Sequence, residues 1–460
     1  MIVTNNQSKH SISSSLFCLL LPVVFSSKAE NLTKLPTQNQ LSFVQAITMA
    51  QKNDPWLTGN KHKQKAIEAM SSVASTLPDP KVSIALANLP TDGFDFNQEG
   101  MMQLKVGITQ VIPRGDTLVL KSEQLKIKSQ AYPFQRKNRK DQIIVTVGQL
   151  WLDAYRAQES VKLIENDRAL FLQLADVAQA SYSSAVGKTR QQDIIRAQLE
   201  LTRLDNRLDK LEQQQNLYQG KLSQWLIDEP QANKSAQSLN FSTMTFANQL
   251  PTIDLLKSEL VLNEQYQQPQ YLVQYFNAHP AVVALDKKIA ATKTGIGIAK
   301  QKYKPQWAVN GSYGYRGDAP NGNTRADLMS VGVTFDVPLF TENRQDKEVD
   351  AAVFETEAIK TEKSLLLRKF IGAFNSGKGR LLRLRDRQKL YQTTLLPQMR
   401  DQAEASLNAY TNDDGDFAEV VRDRIAVLNA EIDQLMLNVE QQKINLTLNY
   451  LFAGTLAVTQ

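Results

Sequence analysis

The sequence predicts a mainly helical chain with a minority of membrane β-strand, built from one unit used twice. Three observations predict it. First, the phrase VGITQVIPRG at 106–115 returns as VGVTFDVPLF at 331–340. At the same offset of 225, Pro55 meets Pro280, Pro80 meets Pro305, Gly107 meets Gly332, Pro113 meets Pro338, and Trp225-Leu226 meets Tyr450-Leu451. A register held that far marks an internal duplication of a unit of roughly 190 residues, too long for a solenoid repeat. Second, apolar residues recur at alternating steps of three and four, the spacing of coiled-coil helices. Third, four short stretches alternate apolar and polar residues with period two, as strands do.

The elements follow in chain order. Lys9 and His10 precede an apolar run at 16–25, and Ser27 and Ala29 suit signal peptidase, so residues 1–29 read as a signal peptide with Glu30 first in the mature chain. The run is about half of the ~20 residues a spanning helix requires. Cys18, the one cysteine, lies inside it without the Leu-small-small context of a lipid-attachment site. The mature chain is then expected to have no disulfide and no thiol chemistry. Losing Lys9 and Lys28 takes the net charge from +6 to +4, too mild to imply a polyanionic partner. Hydrophobic residues are 42 % of the 460 and mean hydropathy is −0.35. That surface-rich balance suits long paired helices better than a thick globule.

The first repeat spans 30–229, a linker 230–265, the second repeat 266–454 and a tail 455–460. Each repeat opens with a helix, expected over about 41–76 and 271–303, ended by the prolines of LPDP (77–80) and YKP (303–305). Strands come next. Val82, Ile84 and Leu86 alternate within KVSIALANL (81–89). Leu104, Val106, Ile108 and Ile112 alternate with Lys105, Gly107 and Thr109, Gln110 being the one lapse. WAVNGSYGY (307–315) and 329–337, with Met329, Val331, Val333, Phe335 and Val337, do the same. The connections TDGFDFNQEG (91–100) and RGDAPNGNTRAD (316–327) are polar loops, so each repeat holds one hairpin.

Long helices close each repeat. Ile143, Val147, Leu150, Ala154, Ala157, Val161, Ile164, Phe171, Ala175, Ala178 and Tyr182 form one stripe, interrupted at Arg168. A helix over 142–184 would extend ~65 Å. Ile194, Ala197, Leu201, Leu204, Leu208, Leu211, Gln215, Tyr218, Leu222 and Trp225 form a second stripe, and Val421, Ile425, Leu428, Ile432, Leu435 and Val439 a third. Four strands are too few to close a barrel and would leave open edges. Period-two alternation over ~9–11 positions is the pattern of an outer-membrane barrel strand. Oligomerisation resolves the shortage, with several copies each donating four strands.

With these features in place, the chain resembles the TolC-like outer-membrane factors over essentially its whole mature length. LSFVQAITMAQKNDPWL, the duplicated helix–hairpin–helix plan and GKTRQQDIIRAQLEL carry the resemblance. LPDPKVSIALANLPTDGFDFNQEG with QVIPRGDTL is closest to the heavy-metal branch that serves RND-type pumps. The resemblance implies a homotrimer whose twelve strands form one barrel in outer-membrane lipid and whose helices form a periplasmic tube. Its expected function is the exit channel of a tripartite efflux pump, for heavy-metal cations, with a periplasmic adaptor and an inner-membrane pump as partners. A drug-efflux or type I secretion duct is the alternative within the family. A secreted coiled-coil structural or adhesin protein is the alternative outside it, and has no use for matched amphipathic hairpins.

The same resemblance places adaptor-docking tips at Gly187, Lys188, Thr189 and Arg190 and at Asp413, Asp414, Gly415 and Asp416. It places acidic residues of a constricted periplasmic mouth at Asp193, Glu419 and Asp423, the last two sharing a helix face. Carboxylates also favour helix N-termini without any gating role. Arg196 and Arg422 depart from a purely acidic ring. Enzymatic chemistry has no foothold, because His10, His62 and His279 are scattered and no nucleophile motif or phosphate loop occurs. DDGD at 413–416 lacks the spacing and closing Glu of a calcium loop. The basic run Lys378, Arg380, Arg383, Arg385, Arg387 and Lys389 is interleaved with leucines, which reads as a solvated helix face and not as a nucleic-acid site. No cofactor is expected.

Overall fold

A computed structural model of the chain describes residues 40–183, 191–227, 244–262, 268–412 and 414–453. After the two-residue strand β1 (Gln40–Leu41), helix α1 (Phe43–Asn53) starts on a capping box. Ser42 Oγ accepts from Gln45 N at 3.2 Å and Gln45 Oε1 accepts from Ser42 N at 3.1 Å. The expected single helix over 41–76 is two helices. Asp54 is extended and its carboxylate accepts from Trp56 N at 3.1 Å, so α2 (Pro55–Ala74) begins afresh at Pro55. A proline has no N–H and is welcome only where that donor would be orphaned anyway. Strands β2 (Lys81–Ala87) and β3 (Gln103–Ile112), then helices α3 (Thr117–Ser129), α4 (Ala131–Ser183) and α5 (Gln191–Leu226), complete the first repeat. α4 has 53 residues, longer than expected, and extends about 80 Å at this length.

In the linker, strand β4 (Thr245–Phe246) pairs parallel with β1, and helix α6 (Ser258–Leu262) follows. The second opening helix is also two, α7 (Pro269–Asn277) and α8 (Pro280–Gln301), broken at His279. Strands β5 (Trp307–Tyr315) and β6 (Leu328–Phe335) come next, β6 ending two residues before the expected 337. The last descent is α9 (Gln345–Leu390), a π-helical turn at Tyr391–Leu395 and α10 (Leu396–Thr411). The wide turn lets Leu396 N reach Tyr391 O just before Pro397, which has no N–H to offer. Helix α11 (Phe417–Leu451) closes the chain.

The offset between matching elements of the two halves is not uniform. It is 225 through the strands, but Thr117 and Ser183 stand 228 before Gln345 and Thr411. The connection after Pro338 is three residues longer than the one after Pro113, while α5 and α11 stand 226 apart at their starts, Gln191 and Phe417, and 225 apart at their ends, Leu226 and Leu451.

The four long strands form one antiparallel sheet in the order β2-β3-β5-β6. Beneath it, α2 packs on α3, α3 on α8 and α8 on α9. Ser71 Oγ donates to Ser122 O at 2.8 Å, Gln124 Nε2 to Ala291 O at 3.2 Å, and Lys363 pairs with Asp286 at 2.8 Å across these three seams. Each strand thus joins the helix that stands below it, and strands and helices share one lateral order. Lower down, α4 packs on α5 and α11, and α11 on α9 and α10. Gly148 and Gly377 admit α11 between its neighbours, because a Cβ there would come 2.8 Å from Leu446 Cδ1 and 2.9 Å from Leu448 Cδ2.

Three apolar clusters hold the helices. One gathers Trp151, Tyr155, Leu222 and Phe246, with Trp151 Nε1 donating to Leu41 O at 2.9 Å. A second gathers Phe276, Phe370, Phe374, Leu448 and Phe452. The third, near the turn into α11, packs Phe171, Leu204, Phe417, Val421 and Leu428. The stripe positions Ile143, Val147, Ala154, Ile164, Ala178, Ala197, Leu204 and Leu222 are all buried, each large one contributing about 1.5–3 kcal/mol. Arg168, the interruption, pairs with Asp205 at 2.9 Å across α4 and α5. No helix among the described residues is long and apolar enough to cross a membrane.

Candidate channel site

The sheet register sorts the strand residues onto two faces. Rows Leu86-Leu104-Tyr315, Ile84-Val106-Tyr313-Met329, Val82-Ile108-Gly311-Val331 and Ile112-Trp307-Phe335 lie on one face. Those side chains are exposed, with Ile84 at 72 % and Val331 at 71 %. A face this apolar, left uncovered, asks for a non-aqueous surround. Aromatic residues mark both ends, Trp307 and Phe335 below and Tyr313 and Tyr315 above. Trp307–Tyr315 is nine residues, whose eight steps span about 26 Å of strand, close to the ~25 Å apolar band of an outer-membrane barrel. Gln110, the lapse, sits in the row of Val309 and Val333, and its amide donates to Pro78 O at 2.9 Å and Val111 O at 3.0 Å.

The other face is polar, with Ser83, Gly107, Ser312 and Ser330 in one row and Thr109, Asn310 and Gly332 in another. The repeated glycines have a shared reason. A Cβ on Gly107 would meet Ser83 Oγ at 2.8 Å, and one on Gly332 would meet Asn310 Oδ1 at 2.6 Å. In each hairpin the descending strand yields space to a polar side chain of the ascending one. Among the described residues, the outer edges β2 and β6 have no further strand partner.

Below the sheet, Arg114 ties the repeats together. Its guanidinium donates to Lys302 O at 3.1 Å and Lys304 O at 2.8 Å and pairs with Asp336. Gly115, at φ +43, follows it, so the chain turns there into the helices.

Two equivalent joints lie farther down. In the first repeat Asp54 caps α2 and pairs with Arg139 at 2.8 Å, whose guanidinium stands 5.7 Å from the Trp56 ring and 5.2 Å from that of Trp225. In the second, His279 takes the place of Asp54 and is fully buried. Its Nδ1 accepts from Ala281 N at 3.1 Å, and its Nε2 lies 3.0 Å from Tyr450 O, which as an acceptor requires the proton on Nε2. Burial pulls this imidazole down to about 4, although the Tyr450 carbonyl works the other way. On α4, burial raises Asp141 to about 6 against the pull of Lys137 and Lys140. Sequence reasoning set His279 aside as scattered. The signal was present in the register, since an Asp-Pro at 54–55 faces a His-Pro at 279–280 and both side chains can cap.

At the far end of the helices, Asp416 Oδ1 accepts from Ala418 N at 3.0 Å and caps α11, while Asp414 N donates to Ala409 O at 3.0 Å. Gly415 is required by proximity, since a Cβ would lie 2.6 Å from Tyr410 N. Glu419, in the first turn of α11, is exposed, as is Arg422. Asp423 is half-buried and turned towards α10, accepting from Gln402 Nε2 at 3.2 Å and from Ser406 Oγ. Asp193 opens α5, in the other helix pair. Gly187, Lys188, Thr189, Arg190 and Asp413 lie outside the described residues.

This architecture is the fold of outer-membrane channels. The CmeC outer membrane channel of Campylobacter jejuni matches with a TM-score of 0.69 at 12% identity, covering 90% of this chain and 85% of that one. The outer membrane protein VceC of Vibrio cholerae matches with a TM-score of 0.69 at 11% identity, covering 90% and 95%. CusC, whose structures concern folding and transmembrane channel formation, matches at 0.67 and 13% identity, covering 89% and 91%. No family model matches the chain, and no curated protein does.

Proposed function

We propose that three copies of this chain form an outer-membrane exit channel of a tripartite efflux pump. The carrying observation is the common lateral order of β2-β3-β5-β6 and α2-α3-α8-α9, with an apolar and a polar face and two unpaired edges. Such a sheet is an arc of wall. Pairing β6 of one copy with β2 of the next removes the open edges, and three arcs supply twelve strands. The likeness to CmeC and VceC, both of outer membranes, supports the location. In this reading the helices line a periplasmic conduit. The segments at 184–190 and 412–416 dock a periplasmic adaptor that joins an inner-membrane RND-type pump. Glu419, with Asp193 and Asp423, is the candidate constriction.

The cargo proposed from the sequence resemblance is heavy-metal cations. Two measurements test the proposal. Native mass in mild detergent should be a multiple of three chains, and a stable monomer refutes the shared barrel. A deletion strain should become sensitive to divalent or monovalent metals. Sensitivity to drugs and detergents instead keeps the channel and removes the metal assignment.

A further inference from the structure

The polar face of the sheet bears charge of one sign. Among the described strand residues on that face the charged ones are Lys81 and Lys105, with no carboxylate. Lys105 stands in a row with Ala85, Gly314 and Leu328, and Lys81 in a row with Thr109, Asn310 and Gly332. The other members of both rows are uncharged, so no carboxylate along the row screens either ammonium. Both are exposed, and among the described residues neither has an ion-pair partner. Between them runs the row of Ser83, Gly107, Ser312 and Ser330. The two cationic rows are four residues apart, about 13 Å along the strands.

Acidic residues gather beyond the strand ends, and several are engaged. Asp336 is held by Arg114 and by Gln306 N, and Asp116 by Lys304 at 3.2 Å. Asp327 accepts from Tyr313 and from Arg316 N, and Asp92 from Gln98 Nε2 at 2.9 Å. The segment with the low-dielectric wall therefore carries unpaired positive charge. Rings of Lys or Arg are how pores favour anions, and an apolar wall focuses their field into the lumen.

We propose that the barrel end of the conduit is a cationic filter, with Lys105 as its principal residue and Lys81 below it, favouring anionic over cationic cargo. The inference rests on the channel reading above, in which the polar face lines the lumen. A free divalent cation then meets its least favourable field at the exit, and a metal would leave more readily as an anionic complex.

The test reconstitutes purified protein in planar bilayers of neutral lipid under a potassium chloride gradient, with the native mass of the same sample measured alongside. Wild-type protein should pass chloride in preference to potassium. Lys105→Glu should invert that preference, and Lys105→Gln and Lys81→Glu should weaken it. A conducting trimer that prefers potassium, or whose reversal potential Lys105→Glu leaves unmoved, overturns the filter while leaving the channel intact. A sample that is not trimeric and does not conduct overturns both.

Discussion

Replacing His279 by alanine probes the joint between α7 and α8 more sharply than any apolar truncation. The change removes a helix cap, worth about 1 kcal/mol, and leaves the buried Tyr450 carbonyl without its donor, worth about 1–3 kcal/mol. It also removes a ring packed at 4.6 Å from Phe370 and 4.9 Å from Tyr450. A loss of about 3 kcal/mol is expected in all. His279→Asn should recover the cap but not the reach to Tyr450. The pH dependence carries the finer prediction. The folded imidazole lies near 4, below its ordinary 6.5. Its contribution is therefore complete above 6.5 and is lost as pH falls towards 4, costing about 2 kcal/mol near pH 5. Asp141 acts in the opposite sense. Its folded value near 6 exceeds 3.8, so acidification relieves a penalty of about 1 kcal/mol after solvent screening. The wild-type joint should thus lose about 1 kcal/mol net between neutral pH and pH 5. His279→Asn, stripped of the first effect, should be more stable near pH 5 than near pH 8. Thermal loss of helical circular dichroism in detergent reads both proteins across that range. Parallel curves, or a His279→Ala loss under about 0.5 kcal/mol, as for a surface change, refute the reasoning.

Three further outcomes follow from the geometry. Val331→Lys, on the apolar face, should reduce outer-membrane assembly by about 2–4 kcal/mol, whereas Ser330→Lys, one residue away on the polar face, should assemble normally by heat-modifiability on gels. Gly415→Ala drives a Cβ against the Tyr410 backbone and should lower stability by about 1–3 kcal/mol, with most of the hydrogen-exchange change confined to the α10–α11 turn. Asp423→Ala releases Gln402 and Ser406 and should raise amide exchange along α10, while Glu419→Ala, with its side chain exposed, should leave exchange there unchanged.

The sequence made much of this architecture legible because the repeats read each other. Gly107 against Gly332 and Pro113 against Pro338 located both hairpins, and β5 matched its expected span of 307–315. The coiled-coil stripes were legible because burial in paired helices leaves a period. The helix breaks were not, since an apolar periodicity passes through Asp54 and His279 undisturbed and a proline at a first turn resembles one inside a helix. The residues expected at the mouth were legible as charges but not as directions. Whether Asp423 faces α10 depends on how α10 and α11 pair, which no local pattern encodes. Lys105 was visible as a polar position in a strand, yet its isolation appears only once the register sets Ala85 and Gly314 beside it.

The two repeats do not bend at the same height. The first has its interruption close to the sheet, at Gln130 between α3 and α4, and the matching stretch of α9 runs straight through Ala358. The second has its wide turn far below, at Tyr391–Leu395, where the matching part of α4 is unbroken. Two matching halves would be expected to carry their interruptions in pairs, and here the interruptions are staggered. In the channel reading proposed above, each interruption in one half stands against an unbroken helix in the other, so no single height of the wall carries two breaks.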